Sequence, residues 1–175
     1  DSLLKTSHIQ VLDYCTPSVF NLDENLGISR VEFGDIDNSS AEGKLGYNNY
    51  LSLSTDVEVG KSYDLTIERT SATKEMTRKA WIDWNVDGDF DDAGELVASE
   101  AAATTTSFTA TITVPGTLSE GRTRLRVATN YKNLKNSACG PHQFGEFEDY
   151  TVIITKDVTA PVITLTGVVV DNIEV

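Results

Sequence analysis

The chain has 175 residues, of which 39% are hydrophobic and 23% are charged, values typical of a globular protein long enough for one well-packed domain. Its formal net charge is −13 at pH 7, from 14 basic and 27 acidic residues. That sign argues against nucleic acid as a partner. No run of 18 apolar residues is present, so we also expect no insertion into a membrane.

Alternation of apolar and polar residues predicts strands along most of the chain. In chain order, alternating or buried runs occupy residues 31–33, 50–54, 62–68, 81–84, 107–114, 122–129 and 150–154. Turn-forming residues separate these runs, and no amphipathic helix is evident. Seven or eight short strands at this spacing predict an all-β fold, an antiparallel β-sandwich of jelly-roll or immunoglobulin-like type, with a barrel as the alternative.

The two ends differ from the middle of the chain. Residues 156–175 contain the proline-containing TAP at 159–161 and continue as VITLTG, which resembles the opening of bacterial immunoglobulin-like cell-surface repeats. We therefore predict a linker or first strand at residues 1–13, the main domain at 14–155, and a linker with the start of a following module at 156–175. That division implies a multidomain secreted protein whose partners include neighbouring domains of the same chain.

Residues 83–95, DWNVDGDFDDAGE, hold six carboxylates and one carboxamide. Asp83, Asn85 and Asp87 stand at alternate positions and Gly88 follows them. This is the opening of an EF-hand-type calcium loop, in which a tight turn aims alternate oxygen ligands at one ion.

The segment departs from a standard EF-hand at its end. The twelfth position, normally a glutamate, is Gly94, and Glu95 comes one place later. Strand-like residues flank the segment, so we predict a calcium loop on a β-hairpin. The alternative is a solvated acidic turn that binds no metal. Magnesium fits less well because it requires stricter octahedral geometry.

Residues 121–145 contain no acidic residue. Because strand side chains alternate between faces, the arginines of this stretch share one face, and a polar loop follows them. Arginines suit carboxylate or sulfate groups, while amides and aromatic rings suit sugars. The predicted ligand-binding residues are Arg122, Arg124, Arg126, Tyr131, Lys132, Lys135 and His142. The alternative is that the arginines pair with acidic residues such as Glu148 or Glu68.

The stretch GEFEDY at 145–150 has two interpretations. In the first, Gly145 permits a turn, the carboxylates cap it or pair with arginines, and the last strand begins. In the second, Glu146, Glu148 or Asp149 contributes to a metal or ligand site. We favour the first.

Several of these segments together resemble the GEVED domain, a family found in secreted multidomain bacterial proteins. They include WIDWNVDGDFDDAGELV at 81–97, FGEFEDYTV at 144–152 with Phe147 for the usual valine, YC at 14–15 and CG at 139–140. The resemblance covers about residues 14–155. Asn49 stands between two tyrosines where the family often has aspartate.

The resemblance implies a non-catalytic β-sandwich appended to enzymes or adhesins. It further implies a disulfide between Cys15 and Cys139, where the cysteine count alone allows either one disulfide or two unrelated thiols. It also supports a structural Ca²⁺ as cofactor. The candidate metal ligands are Asp83, Asn85, Asp87, Asp89, Asp92 and Glu95.

The chemistry of the chain predicts a binding module in preference to an enzyme. Its histidines are His8 and His142, and no nucleophile elbow, zinc-protease helix or phosphate loop is present. We predict a monomeric, calcium-stabilised accessory module, secreted or at the cell surface, that binds carbohydrate, in particular an anionic marine polysaccharide or cell-surface glycan. The alternatives are a structural spacer or cell-adhesion segment without a small ligand, and a hydrolase.

Overall fold

The fold is given by a computed structural model that describes residues 12–21, 26–40, 46–131 and 137–157. These residues form eleven strands and no helix. The strands are β1 (Ser18–Asn21), β2 (Arg30–Phe33), β3 (Ile36–Asn38), β4 (Tyr47–Glu58), β5 (Ser62–Glu68), β6 (Met76–Ile82), β7 (Leu96–Ser99), β8 (Ser107–Thr113), β9 (Gly121–Tyr131), β10 (Pro141–Phe144) and β11 (Glu146–Thr155). The predicted all-β class is confirmed.

Two larger sheets face one apolar core. The first has the order β4-β11-β9-β6-β7 and the second the order β3-β2-β5-β8, while β1 and β10 form a separate pair. One cluster of buried side chains draws on both larger sheets, so the arrangement is sandwich-like. Its members include Val31, Phe33, Leu65, Ile67, Ile82, Leu125, Val127, Val152 and Ile154.

The prediction of a purely antiparallel sandwich is wrong for two strand pairs. β11 runs parallel to β4, and β1 runs parallel to β10. The first sheet is therefore mixed. Alternation of apolar and polar residues reports which face a side chain takes, but it carries no information on the direction of the neighbouring strand.

The predicted strands agree in position with most of the long strands and with the short strand β2, while three other short strands were missed. The run at 62–68 is β5, and the run at 122–129 lies within β9. β6 spans Met76–Ile82, so the run predicted at 81–84 overlaps only its last two residues and extends two residues beyond it. β1, β3 and β10 have only three or four residues each, too few to show a period.

A second, smaller core covers the opposite face of the five-stranded sheet. Trp81, Phe90, Ala128, Ala138 and Phe147 are buried there, with Tyr14, Val19, Tyr47 and Leu96 packed against them. A disulfide between Cys15 and Cys139, with Cα atoms 5.9 Å apart, closes this side and confirms the predicted pairing.

Gly145 separates β10 from β11 and has a φ of 111°. A Cβ at this position would overlap the backbone carbonyl of Thr129. Glycine is therefore required both by conformation and by space, as the turn interpretation of GEFEDY expects.

The predicted end segments fall largely outside the described residues. Residues 1–11 and 158–175 are not among them. Within the part of the chain that the structure describes, there is no helix long and apolar enough to cross a membrane.

Candidate functional site

The basic strand β9 carries its arginines on the outer face of the five-stranded sheet, and the innermost one is committed to the fold. Arg126 is fully buried. Its Nε and Nη2 donate to both oxygens of Asp149, at 2.7 and 2.8 Å. Its remaining donors reach the carbonyls of Cys15 and Ala138. A surface ligand cannot reach this guanidinium. Of the predicted ligand-binding residues, Arg126 is therefore inaccessible to such a ligand.

Arg124 is shared between structure and surface. Its Nη1 donates to Asp149 at 3.0 Å, and 17% of its side chain is exposed. The guanidinium carbon lies 4.0 Å from the centre of the Tyr14 ring, which is a close cation–π contact. Glu148 and Glu68 were the examples predicted as partners of the arginines, and the turn interpretation of GEFEDY also had its carboxylates pair with arginines. The partner is Asp149, which lies opposite Arg126 in the strand register.

Arg122 is the most accessible of the three arginines. Its Nη2 donates to the carbonyl of Leu51 at 3.3 Å and to Thr151 Oγ1 at 3.1 Å. With Arg124 it borders a surface depression of about 300 Å³, which we call the basic hollow. The hollow is lined by Leu12, Tyr14, Leu51, Arg122, Thr123, Arg124 and Thr151.

The other predicted ligand-binding residues lie elsewhere. Tyr131 is at the opposite end of β9 from Arg122, roughly 30 Å away at the usual rise per strand residue. Its ring packs edge-on against Phe144. His142 is buried, with Nδ1 3.2 Å from the Asn130 amide. Lys132 and Lys135 fall outside the described residues. The predicted set therefore does not form one small-ligand site.

The acidic loop, residues 83–95, is organised around the buried carboxylate of Asp83. Asp83 Oδ1 accepts the backbone N–H groups of Val86 and Asp87, and Oδ2 accepts that of Gly88. The Tyr14 hydroxyl donates to the same Oδ2 at 2.5 Å. Val86 has a φ of 60°, a costly conformation for a β-branched residue. Asp83 therefore holds the loop in a strained turn.

The outer residues of the loop form an exposed acidic cluster. Oxygen atoms of Asp87, Asp89 and Asp92 lie within 4.8 Å of one another. The Asn85 amide bridges two of them, donating to Asp87 at 2.8 Å and to Asp92 at 2.6 Å. The structure thus brings together four of the six predicted ligands.

Glu95 closes the loop from the buried side. Its carboxylate accepts the backbone N–H groups of Trp84, at 3.0 Å, and Asp92, at 3.2 Å. Burial, with the nearby Asp83 as a smaller cause, raises the pKa of Glu95 to about 7. Asp83 and Glu95 thus frame the loop, while Asp87, Asp89 and Asp92 face solvent.

The carboxylates of the GEFEDY stretch are all buried, on two faces of β11. Asp149 lies on the arginine side. On the core side, Glu146 accepts the backbone N–H of Ile28 at 2.7 Å and an amide proton of Asn48. These contacts agree with a structural role for the motif, since each carboxylate has protein donors.

Glu148 lies between the two larger sheets, and no cation among the described residues pairs with it. Its Oε1 lies 2.8 Å from the Ser40 hydroxyl, and its Oε2 accepts a hydrogen bond from the Tyr150 hydroxyl at 2.6 Å. Burial raises the pKa of Glu148 to about 8, and repulsion from Glu146 adds to the increase. This carboxyl group therefore holds its proton at neutral pH.

Sequence reasoning did not include Tyr14, Leu51 or Thr151 in the site. Tyr14 meets Asp83 across 69 positions of sequence, a contact that no local pattern reports. The available signal was the position of Tyr14 beside Cys15, since a disulfide fixes its neighbours in place.

Comparison with known families supports the resemblance for the middle of the chain. The model of the GEVED domain matches residues 77–153. That range contains the acidic loop, β9 and the GEFEDY stretch. The resemblance of residues 156–175 to an immunoglobulin-like repeat stays a prediction.

Comparisons with whole proteins add little. No curated protein matches this chain. Among solved structures, a family 123 glycoside hydrolase from Clostridium perfringens, described in work on glycolipid glycan hydrolysis, is similar with 10% identity and a TM-score of 0.35. The alignment covers 66% of this chain and 24% of that one. A likeness this slight has no bearing on activity or ligand.

Proposed function

We propose that this chain is a non-catalytic, calcium-stabilised accessory module of a secreted multidomain protein, and that it binds an anionic polysaccharide in the basic hollow. The observation that carries the ligand part is the Arg122 guanidinium. It is exposed beside Tyr14 and Arg124, and its Nε and Nη1 have no partner among the described residues. In a chain of net charge −13, such a group suits a sulfate or carboxylate of a sugar.

The hollow also offers surfaces for the uncharged parts of a sugar. Leu12 and Leu51 line it and supply apolar contacts. The Tyr14 ring is an amphipathic wall of the kind that packs against sugar rings. Arginine fixes the anionic group while these neighbours accommodate the remainder of the saccharide.

Calcium is proposed on the donor set of the acidic loop. Asp87, Asp89 and Asp92 are hard oxygen donors already gathered at the surface, and such donors are the ones that calcium prefers. Rotating the Asn85 amide by half a turn would exchange its nitrogen for its oxygen and present a fourth donor. Asp83 and Glu95 supply the frame. Bound calcium would neutralise the cluster and brace the loop.

A non-catalytic role is supported by the state of the residues that could perform acid–base chemistry. His142 is buried against Phe147. Glu146 and Glu148 are closed off from solvent and bonded to protein donors. If the domain were a hydrolase instead, the isolated domain would cleave a glycan.

Affinity electrophoresis tests the ligand. In gels containing calcium, we expect dextran sulfate or polygalacturonate to retard the protein and uncharged dextran to have no effect. Arg122→Ala should weaken retardation about tenfold or more in apparent dissociation constant, as loss of a charge-assisted contact implies.

Arg30→Ala is the matched control, because Arg30 is a surface arginine paired with Asp37 and Glu32 on the other larger sheet. It should leave retardation unchanged. The proposal fails if no polyanion retards the protein, or if both variants behave alike.

A structural spacer is the second candidate, and the commitment of Arg126 to Asp149 favours it. That buried pair shows that part of the arginine face serves the fold. A spacer would show calcium-dependent stability together with no retardation by any polysaccharide.

A further inference from the structure

One side chain, Tyr14, touches both the acidic loop and the basic hollow. Its hydroxyl donates to Asp83 Oδ2 at 2.5 Å. Its ring supports the Arg124 guanidinium at 4.0 Å and meets the Phe90 ring of the loop at 5.3 Å between centroids. Any change in the loop that moves Asp83 or Phe90 therefore acts on the wall of the hollow.

The backbone makes the same connection. The Asp83 N–H donates to the carbonyl of Arg124 at 3.2 Å, and Thr123 Oγ1 donates to the carbonyl of Asp83. The first residue of the acidic loop is thus attached to Thr123 and Arg124, two of the three residues of β9 that line the hollow. The two regions are neighbours in space although they are about forty positions apart in sequence.

Tyr14 is also held from its other side. The next residue, Cys15, is joined to Cys139, and its carbonyl accepts Arg126 Nη2 at 2.9 Å. Burial, with the hydrogen bond to Asp83 as the next cause, raises the pKa of the Tyr14 hydroxyl well above its usual range. The hydroxyl therefore remains a donor throughout the physiological range of pH.

We propose that Tyr14 is a positioning residue through which the acidic loop sets the affinity of the basic hollow for an anionic sugar. This inference rests on the proposed function. When the loop is held, Asp83 fixes the Tyr14 hydroxyl, and the Tyr14 ring fixes Arg124 at the hollow. When the loop fluctuates, both side chains must be ordered at the moment of binding, which weakens it.

A cation among Asp87, Asp89 and Asp92 removes their mutual repulsion and so holds the loop. Cation and sugar should then strengthen each other's binding by the same factor, as linkage requires. The coupling passes through one hydroxyl group, and deleting that group should uncouple the two sites while both still bind.

The test compares the full chain with its Tyr14→Phe variant, which keeps the ring and removes the hydroxyl. Dextran sulfate is the probe, and its dissociation constant is measured by calorimetry with calcium and with a chelator at equal ionic strength. We expect calcium to tighten binding about five- to tenfold in the unaltered protein, within the usual range of coupling. The variant should show less than about a twofold effect.

Tyr47→Phe is the matched control. Tyr47 also donates its hydroxyl to a carboxylate on the same sheet face, but the acceptor is Asp149 and not a carboxylate of the acidic loop. This variant should retain the calcium effect. If Tyr14→Phe retains it as well, the inference is overturned.

A second measurement needs no polysaccharide. In NMR spectra, the side-chain Nε–Hε signal of Arg124 should shift on adding calcium, and the shift should vanish in Tyr14→Phe. If dextran sulfate does not bind but this response is seen, the proposed function fails and the coupling stands. If dextran sulfate binds while the Arg124 signal does not shift with calcium, the coupling fails and the proposed function stands.

Discussion

Two arginines of this acidic protein are fully buried, and each is paired with one acidic residue. Arg78 is fully buried and donates to both oxygens of Glu100, and Arg126 does the same with Asp149. Removing one partner of such a pair leaves an unpaired buried charge, which costs about 3 to 5 kcal/mol. Glu148 is the contrasting case, because no cation in the described part of the chain pairs with it.

The hydrogen bonds around Glu148 suit a protonated carboxyl group. Asn38 donates to the Tyr150 hydroxyl, which donates to Glu148. On the other oxygen, a proton on Glu148 can be donated to Ser40, whose hydroxyl then donates to the carbonyl of Ile28, 3.3 Å away. Each donor in this series of hydrogen bonds then has one acceptor.

This arrangement predicts a specific dependence of stability on pH. The pKa of Glu148 is raised to about 8 in the folded state, while in the unfolded chain it is ordinary. Its contribution is therefore complete below about pH 4 and is lost as pH rises toward 8. Glu148→Gln should be close to the unaltered protein in unfolding free energy at pH 5 and more stable by roughly 2 to 4 kcal/mol at pH 9. Urea unfolding across this range measures the difference.

Glu146→Gln is the comparison. Glu146 accepts from two donors, the N–H of Ile28 and the amide of Asn48. A glutamine would turn an N–H toward one of them, so the variant should be less stable at every pH. A difference between Glu148→Gln and the unaltered protein that stays constant with pH would contradict the assignment.

At the scale of elements, the acidic loop connects β6 to β7 and joins two kinds of carboxylate. The buried pair, Asp83 and Glu95, accepts backbone N–H groups and gives the loop its shape. Among the described residues, the donors to the exposed cluster are the Asn85 amide and N–H groups of the loop itself. Without a bound cation, repulsion among these carboxylates therefore destabilises the loop.

Calcium should therefore raise the unfolding temperature. At about a hundred times its dissociation constant, a ligand adds roughly 2.7 kcal/mol, which for a chain of this size shifts the midpoint by about 5 to 10 °C. Asp89→Asn should abolish most of the shift, and magnesium should reproduce little of it. Calorimetric scans with each ion and with a chelator measure these shifts.

Asp91→Asn is the control within the same loop. Asp91 is exposed but is not one of the three clustered carboxylates, so its variant should keep the calcium response. Equal loss of response in both variants would show a general effect of charge in place of a site.

At the scale of the whole molecule, the sequence predicts the positions of many strands but not how the strands pair in the sheets. Periodicity located β5, β8 and β9 because half-buried strands alternate. It could not reveal that β4 lies parallel to β11, with a register shift between Tyr150 and Thr151. For the same reason, the expectation that GEFEDY carboxylates pair with arginines could not single out Asp149 as the partner of Arg126, and Tyr14 was not placed in the hollow. These features depend on register and long-range contact, which single segments do not encode.

The disulfide joins residues 124 positions apart, and its removal tests how far it stabilises the domain. Replacing Cys15 and Cys139 together with serine should lower the unfolding free energy by about 2 to 5 kcal/mol. It should also increase the slope of the unfolding free energy against urea concentration, because an unbridged unfolded chain exposes more surface. Unchanged values for both quantities in equilibrium unfolding would contradict a stabilising role.

The same bridge decides how the domain would carry tension applied at its two ends. Force entering near Tyr14 passes through the disulfide directly to Cys139, so the covalent path of the force bypasses the backbone of residues 16–138. The load then falls on β11, which lies between β4 and β9 and is bonded to both along its length. Its hydrogen bonds would have to shear together instead of opening one after another. We therefore expect the domain to lengthen little under such tension until these hydrogen bonds break.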